Sequence, residues 1–225
     1  MKKILILLLL SAVPVMILAV QARNIEILDV PTANSLIKGE IRGDFKFYPG
    51  GGILNRLYVG LFDKLMIGGA ERIDNLIGNG NLSFNIPWFL FKLRFTDDDG
   101  AMPAIALGYE APGYYLVPTK GAYVAVTKEI AMGSAFAQVT GTVYTNNFRN
   151  FGQDVDMGAG IEFAITKEFI LGAEFDGIFG ALTDARYVNF VTGYFFDPIQ
   201  IDLGVKYNLN KDVSRVLRII YINYF

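Results

Sequence analysis

Two pairs of carboxylates are the residues of this chain whose spacing could do chemistry. Asp154 and Asp156 lie two positions apart, and so do Glu174 and Asp176. Residues two apart share one face of an extended strand. Paired carboxylates can hydrolyse a glycosidic bond or hold Ca²⁺. The same spacing suits a plain polar lining inside a closed sheet, and we favour that interpretation.

The composition argues against catalysis. The 225 residues include no His and no Cys, so the usual general base, the usual nitrogen metal ligand, disulfides and thiolate sites are all missing. The run from Asp97 to Gly100 resembles a calcium loop but lacks the spaced ligands of an EF-hand. We therefore predict no enzyme, no metal and no cofactor. A net charge of −2 gives no basic surface for nucleic acid.

The elements that must position the charges are strands. From Ile37 to Phe47, apolar residues and glycines alternate with charged residues. The windows 154–166, 169–176 and 199–208 repeat this alternation. A period of two predicts half-buried strands. The chain is 52% hydrophobic, yet no stretch after residue 22 resembles a membrane helix.

Counting such windows gives about twelve strands. We place them near 37–48, 53–62, 65–73, 86–96, 103–110, 121–127, 134–144, 154–166, 169–179, 187–196, 199–209 and 215–225. Tight turns at 61–65, 96–100, 126–130, 165–169 and 195–199 alternate with longer, Gly-rich connections. These strands are long enough to cross a membrane, their number is even, and short and long connections alternate between them. The pattern predicts an all-β fold, a single antiparallel up-and-down transmembrane β-barrel.

The two ends of the chain point to export and insertion. Residues 1–22 have the basic start, apolar run and small-residue end of a cleaved signal peptide. We predict a periplasmic lead-in at 23–36 and the barrel at 37–225. The last strand places Leu217, Ile219, Tyr221 and Phe225 on one face, towards lipid. A sheet in lipid must close so that no backbone group is left unpaired.

This tail resembles the assembly signal of Gram-negative outer-membrane barrels, a final strand with a C-terminal aromatic residue. The resemblance implies a cell outer-membrane location, with the lipid bilayer and the barrel-assembly machinery as partners. The alternative is a soluble barrel or sandwich that ends on a strand.

A narrower resemblance rests on strand and turn motifs in the first half of the chain. The stretches Ile27–Ala33, Phe47–Gly51, Val59–Leu65 and Pro103–Gly108 are similar to the barrel of outer-membrane proteins linked to exopolysaccharide biosynthesis (YjbH-like). This resemblance implies a barrel and hints at polysaccharide export. It carries over no active site.

Aromatic residues gather near the strand ends. They are Trp88, Phe89, Phe91, Phe95, Tyr114, Tyr115, Tyr187, Tyr194, Phe195 and Phe196. Such placement is typical of the aromatic girdles at the two membrane interfaces. A sugar-stacking platform is the alternative for Tyr114 and Tyr115.

Strand parity predicts two opposed charged walls in the lumen. The basic wall comprises Lys38, Arg42, Lys46, Arg56, Arg72, Lys92, Arg94 and Arg218. The acidic wall comprises Asp154, Asp156, Glu162, Glu174 and Asp176. Such walls set up a transverse field across a water-filled pore, and a narrow barrel can instead fill its interior with paired side chains. We predict a narrow channel for small polar or acidic solutes or a component of polysaccharide export. The alternative is a non-conducting structural or assembly barrel that acts through its outer loops.

Overall fold

The computed structural model describes residues 24–110, 113–115, 117–133, 135–146, 154–180, 186–209 and 212–225. The predicted signal peptide, residues 1–22, lies outside them. This described part contains thirteen strands. They are β1 (Glu40–Tyr48), β2 (Gly52–Phe62), β3 (Leu65–Asp74), β4 (Ser83–Phe84), β5 (Trp88–Thr96), β6 (Ala104–Glu110), β7 (Gly121–Met132), β8 (Ala135–Thr145), β9 (Val155–Ala164), β10 (Phe169–Asp176), β11 (Tyr187–Phe196), β12 (Ile199–Asn208) and β13 (Val213–Tyr224).

Twelve of these strands form a closed antiparallel barrel. Each pairs with its neighbours along the chain, and β13 also pairs with β1 in a register that sets Glu40 opposite Tyr224. The two-residue β4 pairs with β3 alone, at Ile73 and Asp74, beyond Ala70 where the pairing of β5 with β3 begins. The predicted fold class and strand number are therefore confirmed, with one short extra strand.

The barrel has two different ends. We call the end where β1 begins and β13 ends the terminal rim, and the opposite end the loop rim. The connections at the terminal rim are mostly short, as predicted at 61–65, 165–169 and 195–199. The turn predicted at 126–130 is wrong, since β7 continues through Lys128 and Glu129 and stays paired with β8 as far as Met132 and Ala135.

The outer surface of the barrel is apolar. Outward side chains such as Leu57, Phe190 and Leu203 are more than half exposed, which suits a surface bathed in lipid. Leu217, Ile219 and Tyr221 point outward from β13 as expected, and Phe225 donates its backbone N–H to Gly39 O at 3.0 Å. Their role as an assembly signal stays a prediction. The described residues include no helix long and apolar enough to cross a membrane.

The interior is filled by residues 24–36, which we expected outside the barrel as a periplasmic lead-in. Ile27 N bonds Val30 O and Thr32 N bonds Ile25 O, each at 3.0 Å, so the segment folds back on itself. Its side chains are almost all buried. We call residues 24–36 the lumen hairpin. Its two ends lie towards the terminal rim, and its turn points towards the loop rim.

Candidate functional site

Glycines on the barrel wall make room for the lumen hairpin. A Cβ atom built at Gly160 would stand 2.6 Å from Ile27 Cδ1, and one at Gly204 would stand 2.7 Å from Leu28 Cδ2. Contacts this short do not occur between carbon atoms, so a larger residue at either position would force the side chain of Ile27 or Leu28 to move. The wall is shaped for this occupant.

The acidic wall binds the hairpin through its N–H groups. The carboxylate of Glu174 on β10 accepts the backbone N–H groups of Leu28, Asp29 and Val30 at 3.0, 2.9 and 3.0 Å. Asn189 donates to the same carboxylate at 2.7 Å. Buried peptide N–H groups need acceptors, and an ionised acceptor gives the stronger hydrogen bonds. Glu174 therefore fixes the turn of the hairpin.

The other four residues of the predicted acidic wall lie at different positions along the barrel axis. Glu162 accepts the side-chain N–H of Asn24 at 2.7 Å. Asp156 accepts a backbone N–H at the loop rim, and Asp176 pairs there with Lys120. Asp154 lies at the edge of the loop rim, just before β9. Of the five residues of the predicted acidic wall, Glu162 and Glu174 thus bond to the hairpin.

The basic wall binds the hairpin through its oxygens. The carboxylate of Glu26 lies 3.0 Å from Lys46 Nζ and accepts bonds from Arg218 at 2.9 Å and Arg56 at 2.7 Å. All four side chains are buried. Charges removed from water need compensation of this kind, because an unpaired one costs several kcal/mol in the effective range seen for proteins.

Asp29 occupies a second pocket of donors near the loop rim. Its carboxylate accepts bonds from Lys46 at 3.1 Å, from Tyr114 Oη at 2.5 Å and from Asn189 at 3.3 Å. Lys206 forms a close ion pair with it. We call these four partners the Asp29 seat.

Lys92 binds the hairpin from a third side. Its ammonium group donates to the backbone carbonyls of Ile25, Thr32 and Asn34 at 2.8, 2.9 and 3.1 Å. Acceptors of the hairpin thus face cations of β1, β2, β5, β12 and β13, whereas its N–H groups face the carboxylates of β9 and β10. The cations of β1, β2 and β5 lie across the barrel from β9 and β10, whereas β12 is separated from β10 by β11 alone. The hairpin lies between these groups.

Five residues of the predicted basic wall lie in the lumen and three do not. Arg42, Lys46, Arg56, Lys92 and Arg218 are buried inside. Lys38 is exposed, because it precedes β1 and lies on the terminal rim. Arg72 and Arg94 stand near strand ends, where they pair with Asp74 at the loop rim and Asp97 at the terminal rim. The inward parity of a residue does not indicate whether it lies in the middle of a strand or near an end.

Other lumen residues were missed or underweighted. Asp202 accepts Arg218 Nε at 2.7 Å and is fully buried. The alternation in the window 199–208 puts Asp202 and Lys206 on the inward face of β12, but it does not indicate which residues they pair with. Glu26 and Asp29 carried no signal of their own, since they precede the alternating region. No group of His, Cys, Asp and Glu residues suited to a metal ion occurs among the described residues.

Tyr114 belongs neither to an aromatic girdle nor to a sugar-stacking platform in an outer loop, so both sequence interpretations are wrong for this residue. It is 3% exposed and lies inside the barrel, where the loop between β6 and β7 enters from the loop rim. A pair of backbone bonds to Val117 forms the turn that carries it inward. Tyr187 is buried in the lumen as well, whereas Trp88, Phe89 and other members of the predicted girdles are exposed on the outside.

Little space is left in the lumen. A cavity of about 20 Å³ lies at the loop rim between the lumen hairpin and the β6–β7 loop. Such a volume holds about one water molecule. Its lining includes Glu26, Asp29, Lys46, Arg56, Glu110, Tyr114 and Lys120. The lumen hairpin and the described residues of the β6–β7 loop thus nearly fill the barrel at this rim.

The comparisons with known proteins concern the fold. No protein-family model matches the chain, and no curated protein matches its sequence, so the YjbH-like resemblance stays a prediction. The outer membrane protein Omp33 of Acinetobacter baumannii matches with 8% identity and a TM-score of 0.50, over 83% of this chain and 97% of Omp33. The KdgM porin in complex with disordered oligogalacturonate matches with 10% identity and a TM-score of 0.51, over 81% and 98%.

At these identities the likeness shows the fold alone. The described strands close into a barrel of the same kind, and their outward residues form an apolar surface. A sheet with a lipid-facing exterior and no free edge meets the requirement for crossing a bilayer by strands. The chain has the fold of the Gram-negative outer-membrane β-barrel proteins, and its closed sheet and apolar exterior suit a place in the cell outer membrane.

Proposed function

We propose that the protein is an outer-membrane channel for small acidic solutes, closed in this structure by its own lumen hairpin. One observation supports the proposal. Four cations of the strands, Lys46, Arg56, Lys206 and Arg218, hold two carboxylates that do not belong to the barrel wall. The lumen thus binds carboxylates, and those it binds now are on a segment that enters from one end.

Removal of the hairpin would leave a charged pore. The four cations would face water, and the carboxylates of Glu162 and Glu174 would lie across the pore from Lys46 and Arg56. Walls of opposite sign focus ions of each kind along their own side of a pore. An acidic solute would then follow the path that Glu26 and Asp29 occupy in the closed state. KdgM is a porin seen with an oligogalacturonate, and we extend the proposal to acidic sugars.

Planar-bilayer recording tests the proposal. Protein lacking the first 22 residues is compared with a variant that also lacks residues 23–36. We expect the first to be mostly silent and the second to conduct, with reversal potentials that favour anions at low salt, where screening is weak. In liposomes the shortened variant should pass glucuronate faster than glucose.

A full-length variant guards against a deletion that fails to fold. Glu26→Lys places a fourth cation beside Lys46, Arg56 and Arg218 and should expel the hairpin, whereas Glu26→Gln keeps the volume without the repulsion. Conduction by Glu26→Lys and much less by Glu26→Gln supports gating by the hairpin.

Silence of every folded variant would overturn the channel and favour the non-conducting structural barrel. One observation favours that second candidate, since the cavity between the lumen hairpin and the β6–β7 loop holds only about one water molecule. Folding is checked by the faster gel migration of unheated barrels. A role in polysaccharide export stays a prediction.

A further inference from the structure

The Asp29 seat is built to bind a carboxylate, and it binds one now. Two ammonium groups, a phenol and an amide converge on the side chain of Asp29. The same two ammonium groups, of Lys46 and Lys206, stand 5.0 and 4.9 Å from the centre of the Tyr114 ring. The ring thus supports both cations while its hydroxyl donates to the anion.

We propose that the Asp29 seat is a binding site for a carboxylate anion from solution at the loop rim, which takes the place of the Asp29 side chain. The site would admit the acidic group of a solute and exclude its neutral analogue. Its link to transport rests on the proposed function, but the binding itself does not.

The charge of the Asp29 seat favours an anion as its occupant. Lys206 has Asp29 as its ion-pair partner among the described residues, and both side chains are buried. A buried ammonium group is strongly destabilised when it loses its counter-ion. When Asp29 leaves, another anion must therefore enter or water must reach the seat.

The seat adjoins the space through which an anion would come. The cavity of about 20 Å³ touches Asp29, Lys46 and Tyr114, and its outer wall is the β6–β7 loop with Gly113 and Lys120. Lys120 adds a further cation beside this path. On the other side, Glu174 holds the backbone of the hairpin turn, so the Asp29 side chain can leave without removing the whole hairpin.

Chemical rescue tests the site without any transport measurement. Asp29→Ala removes the carboxylate and leaves a gap of its size, while the backbone N–H of residue 29 still reaches Glu174. We expect the folded variant to melt at a lower temperature than the parent. Sodium acetate should restore the melting temperature in a saturable way, and sodium chloride at equal ionic strength should not.

Two variants serve as matched controls. Asp29→Asn fills the gap with an uncharged group of the same shape, so acetate should have no effect beyond that of chloride. Asp29→Ala combined with Lys206→Met keeps the gap but removes a cation, and its half-saturating acetate concentration should rise about tenfold or more. Acetamide, the neutral analogue of acetate, should rescue none of them.

Equal effects of acetate and chloride on Asp29→Ala would overturn the site, as would equal rescue with and without Lys206. Where Asp29→Ala does not fold without an anion, the fraction refolded in acetate and in chloride gives the same comparison. Rescue together with silent bilayers rejects the channel and keeps the site. Conduction without rescue rejects the site and keeps the channel.

Discussion

The outside and the inside of the barrel are built from the same strands but follow different rules. On β12, Leu203 points to lipid and is 57% exposed, while its neighbour Asp202 points inward and is fully buried against Arg218. Any apolar residue would serve the first position. The second needs a partner of opposite charge from another strand. The exterior is therefore specified by residue class and the interior by individual charge pairs. Substitutions at the two kinds of position should show this difference.

The largest effect is expected from a buried pair of the interior. Arg218→Met should lower the free energy of unfolding by about 3–5 kcal/mol, because the buried carboxylates of Asp202 and Glu26 lose a cation. Chemical unfolding in detergent measures it. Arg72→Met at the loop rim, where Arg72 pairs with partly exposed Asp74, is the control and should cost about 1 kcal/mol or less. Similar losses for both variants would contradict the distinction between lumen and rim.

A smaller effect is expected on the lipid side of the same barrel. Leu203→Lys puts a charge on the outward face near the middle of β12 and should cost about 2–4 kcal/mol in a bilayer. Leu203→Val keeps the residue class and should be nearly neutral. Unfolding in lipid vesicles distinguishes them. A tolerant Leu203→Lys variant would show that this face does not contact lipid.

Glycine positions give the next comparison. Gly204→Leu should clash with Leu28 and cost about 1–3 kcal/mol, the usual range for overpacking, or loosen the lumen hairpin. Gly141 lies on the outward face of β8, and a Cβ there would meet nothing within 4 Å. Gly141→Leu should therefore be well tolerated. Protease digestion of residues 24–36 reports the loosened hairpin, and equal digestion of both variants would contradict a fitted lumen.

The exterior could be predicted from the sequence because its signal is local. In β1, the alternation of charged and apolar residues is visible within nine positions, and the pairing of β13 with β1 follows from closure. The exception at β7 is instructive. Lys128 and Glu129 resembled a turn, yet Asp98 of a neighbouring turn accepts Lys128 Nζ at 2.6 Å and the Glu129 N–H at 2.6 Å. A partner from a different connection thus satisfies groups that looked destined for solvent.

The lumen hairpin could not be predicted because its signal is distant. Asp29 and Glu174 are 145 positions apart in the chain, and nothing near either residue indicates the other. The apolar residues of the hairpin, such as Ile27 and Leu28, hinted that residues 24–36 are buried. They did not indicate that the burial is inside the barrel. Parity identified Glu174, Lys46 and Arg218 as inward residues, but it did not indicate that they bind the lumen hairpin.

The smallest expected effect has the opposite sign and sharpens the rule for the interior. Arg42 and Arg218 are both fully buried in the lumen. Arg42 makes no side-chain hydrogen bond to any described residue, and its nearest carboxylate, Asp44, lies 3.8 Å away. A buried guanidinium without close partners loses more hydration than it regains.

Arg42→Met should therefore raise the free energy of unfolding by about 1 kcal/mol, whereas the same substitution at Arg218 lowers it. Asp44 keeps Arg56 at 3.1 Å as its partner in both cases. Arg42→Lys retains the charge and should bring no gain. Chemical unfolding of the three variants in one detergent decides the matter. A loss with Arg42→Met as large as that with Arg218→Met would mean that burial, rather than the individual pair, determines what a lumen charge contributes.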